Sequence, residues 1–135
     1  MEAILTRCGY RCDLCRAYRH HPENNPATRQ KMSDGWHRYF GFRIPPDRIV
    51  CDGCLSDNPD LLDKACPVRP CVIKKGLENC SQCNDYICGK LKKRLVAVEE
   101  IKNRINADIP EEDYLCFIQP YENRKRLEAM RKSGG

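Results

Sequence analysis

The chain has 135 residues, about the length of one ordinary domain, and a formal net charge of +5. Its eleven cysteines make up much of its apolar content, beside only three Phe, one Trp and three Met, so we expect metal or covalent cross-links to supply part of the stability. No apolar run approaches the roughly 18 residues of a membrane span, so no association with a membrane is expected.

The first predicted element is a helix over residues 26–40, PATRQKMSDGWHRYF. Asn25 can cap its N-terminus, and Gly41 suits a left-handed residue at its end. Gly35 lies inside this helix, where glycine is unfavourable. Apolar residues recur at helical spacing on one face, at Met32, Trp36 and Phe40.

The C-terminal part of the sequence predicts further helices. Two prolines bias residues 43–54 towards an extended or turn segment, and the strongest helical periodicity then follows over residues 90–105, where one amphipathic helix is predicted. Its apolar positions are Leu91, Leu95, Val98, Ile101 and Ile105. A short helix is predicted after Asp108, which with Glu111 resembles a capping box, and a last helix after Pro120.

Ten of the eleven cysteines lie between residues 8 and 88, and three pairs have C-x2-C spacing. A two-residue gap lets a tight turn present both sulfurs to one ion. The N-terminus has no apolar stretch of signal-peptide length, so we expect a cytoplasmic protein, in which thiols stay reduced. The pattern therefore favours metal binding over disulfides. The candidate ligands are Cys8, Cys12, Cys15, Cys51, Cys54, Cys66, Cys71, Cys80, Cys83 and Cys88.

Spacing leaves the grouping of these ligands open, since two tetrathiolate sites would use eight of the ten. In one grouping, four central cysteines form a local site and the N-terminal triplet joins the last three. Its local site is Cys51, Cys54, Cys66 and Cys71. The other grouping resembles a zinc ribbon and joins two C-x2-C pairs, Cys51 and Cys54 with Cys80 and Cys83.

Zn2+ is the favoured metal, because four thiolates complete its coordination and it requires the least from the surrounding residues. A 4Fe-4S iron-sulfur cluster is the alternative, since it uses the same thiolates. The C-x3-C-x2-C run at residues 8–15 is similar to the cluster motif of radical S-adenosylmethionine enzymes. The long alternation of strands and helices that such enzymes need is absent, so that activity is set aside.

The remaining cysteine and the histidines have simpler interpretations. Cys116 lies in the apolar, helical context YLCFI, where a buried cysteine behaves as a small hydrophobe. His20 and His21 precede a proline and are expected in a solvated turn, although one of them could complete a metal site. His37 is expected on the exposed side of its helix.

These patterns predict a small, metal-stabilised, α-rich and cysteine-rich domain with irregular metal-binding loops and little or no sheet, because no segment alternates with period two. We expect one domain over residues 1–135. Its cysteine-rich, metal-binding part is residues 8–88 and its helical C-terminal part is residues 89–132. The tail Ser133–Gly135 is expected to be disordered.

Several segments together resemble a known family of cysteine-rich proteins. CGYRCDLCRAY, WHRYFGF, CDGCLSD, CPVRPCVIKKGLENCSQCNDYICGKL and PYENRKRL, over about residues 8–127, are similar to the uncharacterised domain of unknown function 3795. CDGC and ENCSQC are the most specific of these segments. The resemblance implies a small prokaryotic protein with a suspected metal site at the ten candidate cysteines, and Cys116 falls outside its pattern. It implies no activity.

The function indicated by the sequence is metal binding, most simply as a zinc-stabilised binding or adaptor module with an unknown protein partner. The alternatives are an iron-sulfur protein with a redox or sensor role, and a thiol-based enzyme or metal-transfer protein. No catalytic residue stands out, so an enzyme is not favoured. Nucleic-acid binding is not favoured either, because two tetrathiolate sites of about −2 each would lower the net charge from +5 to about +1.

Overall fold

The computed structural model of the protein describes residues 2–53, 55 and 60–134. Over these residues the chain is helical and has no β-strand, and two isolated bridges join Leu5 to Arg11 and Tyr18 to Cys51. The α-helices are α1 (Pro26–Phe40), α2 (Val68–Lys74), α3 (Gly89–Lys92), α4 (Val98–Ile105), α5 (Glu111–Asp113) and α6 (Asn123–Gly134). Shorter helical turns are the 3-10 segments Pro46–Arg48, Cys80–Gln82 and Gln119–Tyr121 and the π-helical segment Tyr114–Ile118. The prediction of an α-rich chain with little or no sheet is confirmed.

Helix α1 has the bounds and both caps that the sequence predicts. The Asn25 side chain accepts a hydrogen bond of 2.9 Å from the backbone N–H of Thr28. At the other end Gly41 adopts a left-handed φ of 84° and its N–H returns to the carbonyls of Trp36 and His37. The residues at which this helix begins and ends are therefore those that the local sequence signals predict.

The predicted single helix over residues 90–105 is wrong, because the structure divides it into α3 and α4. Side-chain hydrogen bonds from Asn123 hold the intervening backbone. The Asn123 side chain accepts from Val96 N at 2.8 Å and donates to the carbonyl of Arg94 at 3.1 Å. Backbone groups that a continuous helix would pair internally are thus satisfied by a residue distant in sequence.

Two smaller expectations for the C-terminal part are also corrected. Helix α5 begins after Pro110 and receives no side-chain cap, so Asp108 does not form the predicted capping box. Helix α6 follows Pro120 as predicted and includes Ser133 and Gly134, so those two residues are not a disordered tail, while Gly135 lies outside the described residues.

Among the residues that the structure describes, the buried ones form two apolar clusters. The first cluster is built around α1 and the π-helical segment, and its largest buried members are Met32, Trp36, Tyr39, Ile49, Phe117 and Ile118. The second contains Cys8, Val68, Val72, Cys80, Leu91 and Leu127. Cysteines that the sequence assigns to metal binding are thus part of the second apolar cluster. Within the described residues, no helix has the length and apolar character required to cross a bilayer.

Candidate functional site

Two stretches of chain meet at the first thiol group, which we define as Cys12, Cys15 and Cys51. A hydrogen bond of 3.2 Å from Cys15 N to Cys12 O closes the C-x2-C turn. Cys51 reaches this turn through backbone bonds to the residues that follow it: its N–H donates to Ala17 O at 2.8 Å and its carbonyl accepts from Arg19 N at 2.8 Å. The fold thus holds a thiol from the middle of the cysteine-rich part beside the N-terminal pair.

Gly53 continues the chain from Cys51 past the sulfur of Cys12. Its φ of 88° is left-handed, and a Cβ built there would lie 3.6 Å from Cys12 Sγ and 3.3 Å from the ring of Tyr18. Glycine can adopt this positive φ without strain, and its lack of a side chain leaves room for Cys12 and Tyr18. Cys54 follows directly and lies outside the described residues.

The thiols of the first group influence one another electrostatically. Burial raises the pKa of Cys15 to about 12, against the opposing hydrogen bonds of Tyr121 and Ala17, and the neighbouring Cys12 and Cys51 sulfurs add to the increase. Burial also raises the pKa of Cys51, again with a contribution from Cys12. The sulfurs are therefore near enough for negative charge on one to disfavour negative charge on another, which a bound cation would reverse.

Four thiols line a single cavity at the second thiol group, which we define as Cys71, Cys80, Cys83 and Cys88. The cavity has a volume of about 10 Å3, which is room for about one water-sized atom. Helix α2 carries Cys71, a 3-10 turn capped by Asn79 carries Cys80, and Cys88 caps α3 by accepting from Leu91 N at 3.5 Å. Burial raises the pKa of Cys80 to about 12.

Cationic side chains lie against the second thiol group. Lys75 Nζ lies 3.2 Å from Cys83 Sγ and 3.3 Å from the carboxylate of Asp85, and both contacts raise the pKa of Lys75. Arg131 of α6 donates to the carbonyl of Cys83 at 2.9 Å and covers the ring of Tyr86 at 4.6 Å. Two positively charged side chains, Lys75 and Arg131, thus border the second thiol group.

Cys8 and Cys66 belong to neither group: Cys8 is a buried member of the second apolar cluster, and the partly buried Cys66 packs against that cluster. Burial raises the pKa of Cys8 to about 12, and the charges of Cys66 and Cys12 contribute. Cys8 is also among the neighbours that raise the pKa of Cys80, after burial itself. Cys8 therefore interacts electrostatically with a cysteine of each group, Cys12 of the first and Cys80 of the second.

Both of the groupings that spacing suggested include Cys54, which lies outside the described residues. Cys51 lies beside Cys12 and Cys15, whereas Cys71 lies with the C-terminal cysteines. No disulfide joins two of the described cysteines. In the part of the chain that the structure describes, no three His, Cys, Asp or Glu side chains are disposed as a ready-made metal site, so a metal would have to draw the thiols of either group closer.

Residues outside the candidate set agree with their simpler interpretations. Cys116 is fully buried in the first apolar cluster, with its sulfur 3.7 Å from that of Met32. His20 and His37 are exposed. His21 accepts from Glu23 N at 3.0 Å within a turn, and burial lowers its pKa.

Sequence reasoning missed the side chains that contact the thiols from outside. Besides Lys75 and Arg131, Tyr121 places its hydroxyl 2.9 Å from Cys15 Sγ, across 106 positions of sequence. No local pattern links a tyrosine to a cysteine at that separation. The one available signal was that PYENRKRL, which contains Tyr121, belongs to the segments that resemble the cysteine-rich family.

Most of the chain matches a known protein family. The family described as protein of unknown function (DUF3795) matches residues 4–93. The match contains every cysteine from Cys8 to Cys88, leaves out Cys116 and ends before PYENRKRL. A search of curated proteins and a search of solved structures each gave no match. Because the match covers well over half of the 135 residues, the chain belongs to the DUF3795 family of proteins of unknown function.

Proposed function

We propose that this protein binds zinc through cysteine thiolates and serves as a zinc-stabilised binding or adaptor module. The observation that carries the proposal is the convergence of four thiols on one small cavity in the second thiol group. The first thiol group, with Cys54 as the fourth ligand, would supply a second tetrathiolate site. Cys8 and Cys66 would then remain beside the two sites without being needed by either.

The chemistry of the donors fits zinc. Thiolates are its preferred soft ligands, and four of them complete a tetrahedral structural site. The thiols of Cys15 and Cys80, with pKa values raised to about 12, hold their protons until a metal displaces them. Rotation about χ1 moves each sulfur between staggered positions on a fixed Cβ, which gives the thiols of a group some freedom to adjust to a metal.

The size of the cavity supports zinc over an iron-sulfur cluster. About 10 Å3 at the second thiol group suits one atom, whereas a 4Fe-4S cluster has eight atoms and needs a wider cage. Zinc supplies no redox chemistry. Its effect here would be to join the turn at residues 12–15 to residues 51–54, and α2 to the segment at residues 80–88.

A binding role is supported by the closed character of such sites. A zinc ion with four thiolate ligands keeps no open position for a substrate. The cavity at the second thiol group is small, with a volume of about 10 Å3. We therefore propose that zinc shapes the surface that another protein recognises, and that the metal takes no part in catalysis.

Elemental analysis and a visible spectrum of anaerobically prepared protein test this proposal. We expect colourless protein with about two zinc ions per chain, and unfolding when a chelator removes them. Brown protein with iron and sulfide would establish the iron-sulfur alternative instead. A labile metal, together with one cysteine that alkylates faster than the others, would favour the thiol-based enzyme or metal-transfer alternative. Less than about one metal per chain would contradict metal binding altogether.

A further inference from the structure

A side chain that contacts the first thiol group comes from beyond the family match. Tyr121 lies in the 3-10 turn that precedes α6, and its hydroxyl oxygen is 2.9 Å from Cys15 Sγ. The family match ends at residue 93. The segment that follows the shared cysteine-rich part therefore reaches back to one of its thiols.

Aromatic packing fixes the direction of this hydroxyl. The ring of Tyr121 makes edge contacts with three neighbours, at centroid distances of 5.4 Å to Tyr10, 6.2 Å to Trp36 and 6.2 Å to Phe40. Rings held on several sides have little freedom to turn. The hydroxyl thus points at the sulfur because the first apolar cluster and Tyr10 hold the ring.

The chemistry of a bound metal determines which atom donates in this hydrogen bond. A neutral thiol and a phenol can each donate to the other. A metal-bound cysteine is a thiolate, which has no proton, so only the Tyr121 hydroxyl can then donate. A hydrogen bond to a charged acceptor is stronger than one between neutral groups, and this contact is therefore stronger in the metal-bound protein than in the metal-free one.

We propose that Tyr121 is a positioning residue of the first zinc site, whose hydroxyl donates to the Cys15 thiolate, fixes the direction of that sulfur and raises zinc affinity. The proposal rests on the proposed zinc-binding function. It makes the segment after the family match part of the metal site. The second thiol group has a different outer partner, because its sulfur contact of 3.2 Å comes from the ammonium of Lys75.

Tyr121→Phe tests the proposal, with Tyr10→Phe as its matched control. Tyr10 packs against Tyr121 and also uses its hydroxyl, but it donates to the carbonyl of Arg94 at 2.7 Å and not to a thiol. Zinc affinity is measured by competition with a chromophoric chelator, and the sulfur-to-metal charge-transfer band is measured after Co2+ substitution. We expect Tyr121→Phe to weaken one of the two zinc sites by roughly 10- to 100-fold and to shift the Co2+ band to lower energy. Tyr10→Phe should leave both readouts as in the wild type.

A second measurement needs no substitution. In wild-type protein loaded with a spin-half cadmium isotope, the Tyr121 hydroxyl proton should show scalar coupling to the metal through the O–H···S bond. Absence of that coupling, or equal effects of Tyr121→Phe and Tyr10→Phe, would overturn the positioning role while the zinc sites themselves stand. Wild-type protein that takes up no metal would overturn the proposed function, and this inference with it.

Discussion

Gly35 in α1 lies directly against the ring of Phe117, such that a Cβ at position 35 would be 2.3 Å from Phe117 Cε1. Both residues are buried. Glycine is unfavourable inside a helix by about 1 kcal/mol relative to alanine, and the contact explains why it stands there. The absence of a side chain lets α1 and the π-helical segment approach each other in the first apolar cluster.

Gly35→Ala is expected to destabilise the protein although it improves helix propensity. Overpacking a closed contact costs about 1–3 kcal/mol, because the ring of Phe117 is itself packed against Tyr39. Urea unfolding of the metal-loaded protein measures the change. Gly89→Ala is the matched control, since a Cβ at position 89 meets nothing within 4 Å, and it should be close to neutral. A Gly35→Ala variant as stable as the wild type would contradict this packing.

Asn123→Ala should lower the free energy of unfolding by about 3 kcal/mol, because it leaves buried backbone groups without partners. The Asn123 side chain bonds the carbonyl of Cys8 at 2.8 Å as well as the backbone between α3 and α4. The same change at Asn103, which is exposed on α4, serves as the control and should have little effect. Equal effects at the two positions would show that Asn123 does not determine the break between the helices.

The division between α3 and α4 could not be predicted from the sequence. Local signals were enough for α1, whose cap at Asn25 and end at Gly41 lie within a few residues of the helix. They were not enough for residues 90–105, because the periodicity there is genuine and the competing hydrogen bonds come from Asn123. Local helix propensity is overridden here because a distant side chain makes hydrogen bonds with the backbone.

Local sequence signals were also not enough to predict how the cysteines of the candidate site are arranged. Cysteine spacing identified the thiol-rich part, and all ten candidates fall inside the family match. Their grouping depends on which turns meet in space, and nothing in the spacing places Cys51 beside Cys12 or Cys71 beside Cys80. The contact between Tyr121 and Cys15 lies even further from any local pattern.

Glu122 should make stability depend on pH below about 5. Burial alone would raise the pKa of its carboxyl, but hydrogen bonds from Tyr114 and Val98 N and the charge of Lys125 outweigh burial and lower it. A lowered native pKa gives stability that is complete above the unfolded pKa of about 4.5 and is lost as the pH falls through the native value.

The comparison of wild type with Glu122→Gln isolates this effect. Near pH 7 the variant should be less stable by about 1–2 kcal/mol, since its amide accepts a weaker hydrogen bond than the carboxylate. The difference should shrink as the pH falls below about 4.5, and acid release of metal affects both proteins alike. A difference that stays constant from pH 7 to pH 3 would contradict the ionised, hydrogen-bonded carboxylate.

Serine substitutions test how the thiols divide between the two groups. Cys12→Ser and Cys83→Ser should each reduce zinc content by about one ion per chain, because each removes one of four ligands from a different site. The double variant should lose about two ions. Cys116→Ser, which changes a buried thiol outside both groups, should retain the full metal content. If the double variant lost no more zinc than either single variant, Cys12 and Cys83 would share one site.

Native mass spectrometry of the anaerobically prepared wild-type chain tests the central claim most directly, because it counts metal ions on each molecule and identifies them by mass. We predict a dominant species of one chain with about two zinc ions, from which the protons of the ligating thiols have been lost. A dominant species with no metal after zinc has been supplied, or one that carries iron and sulfide, would contradict it.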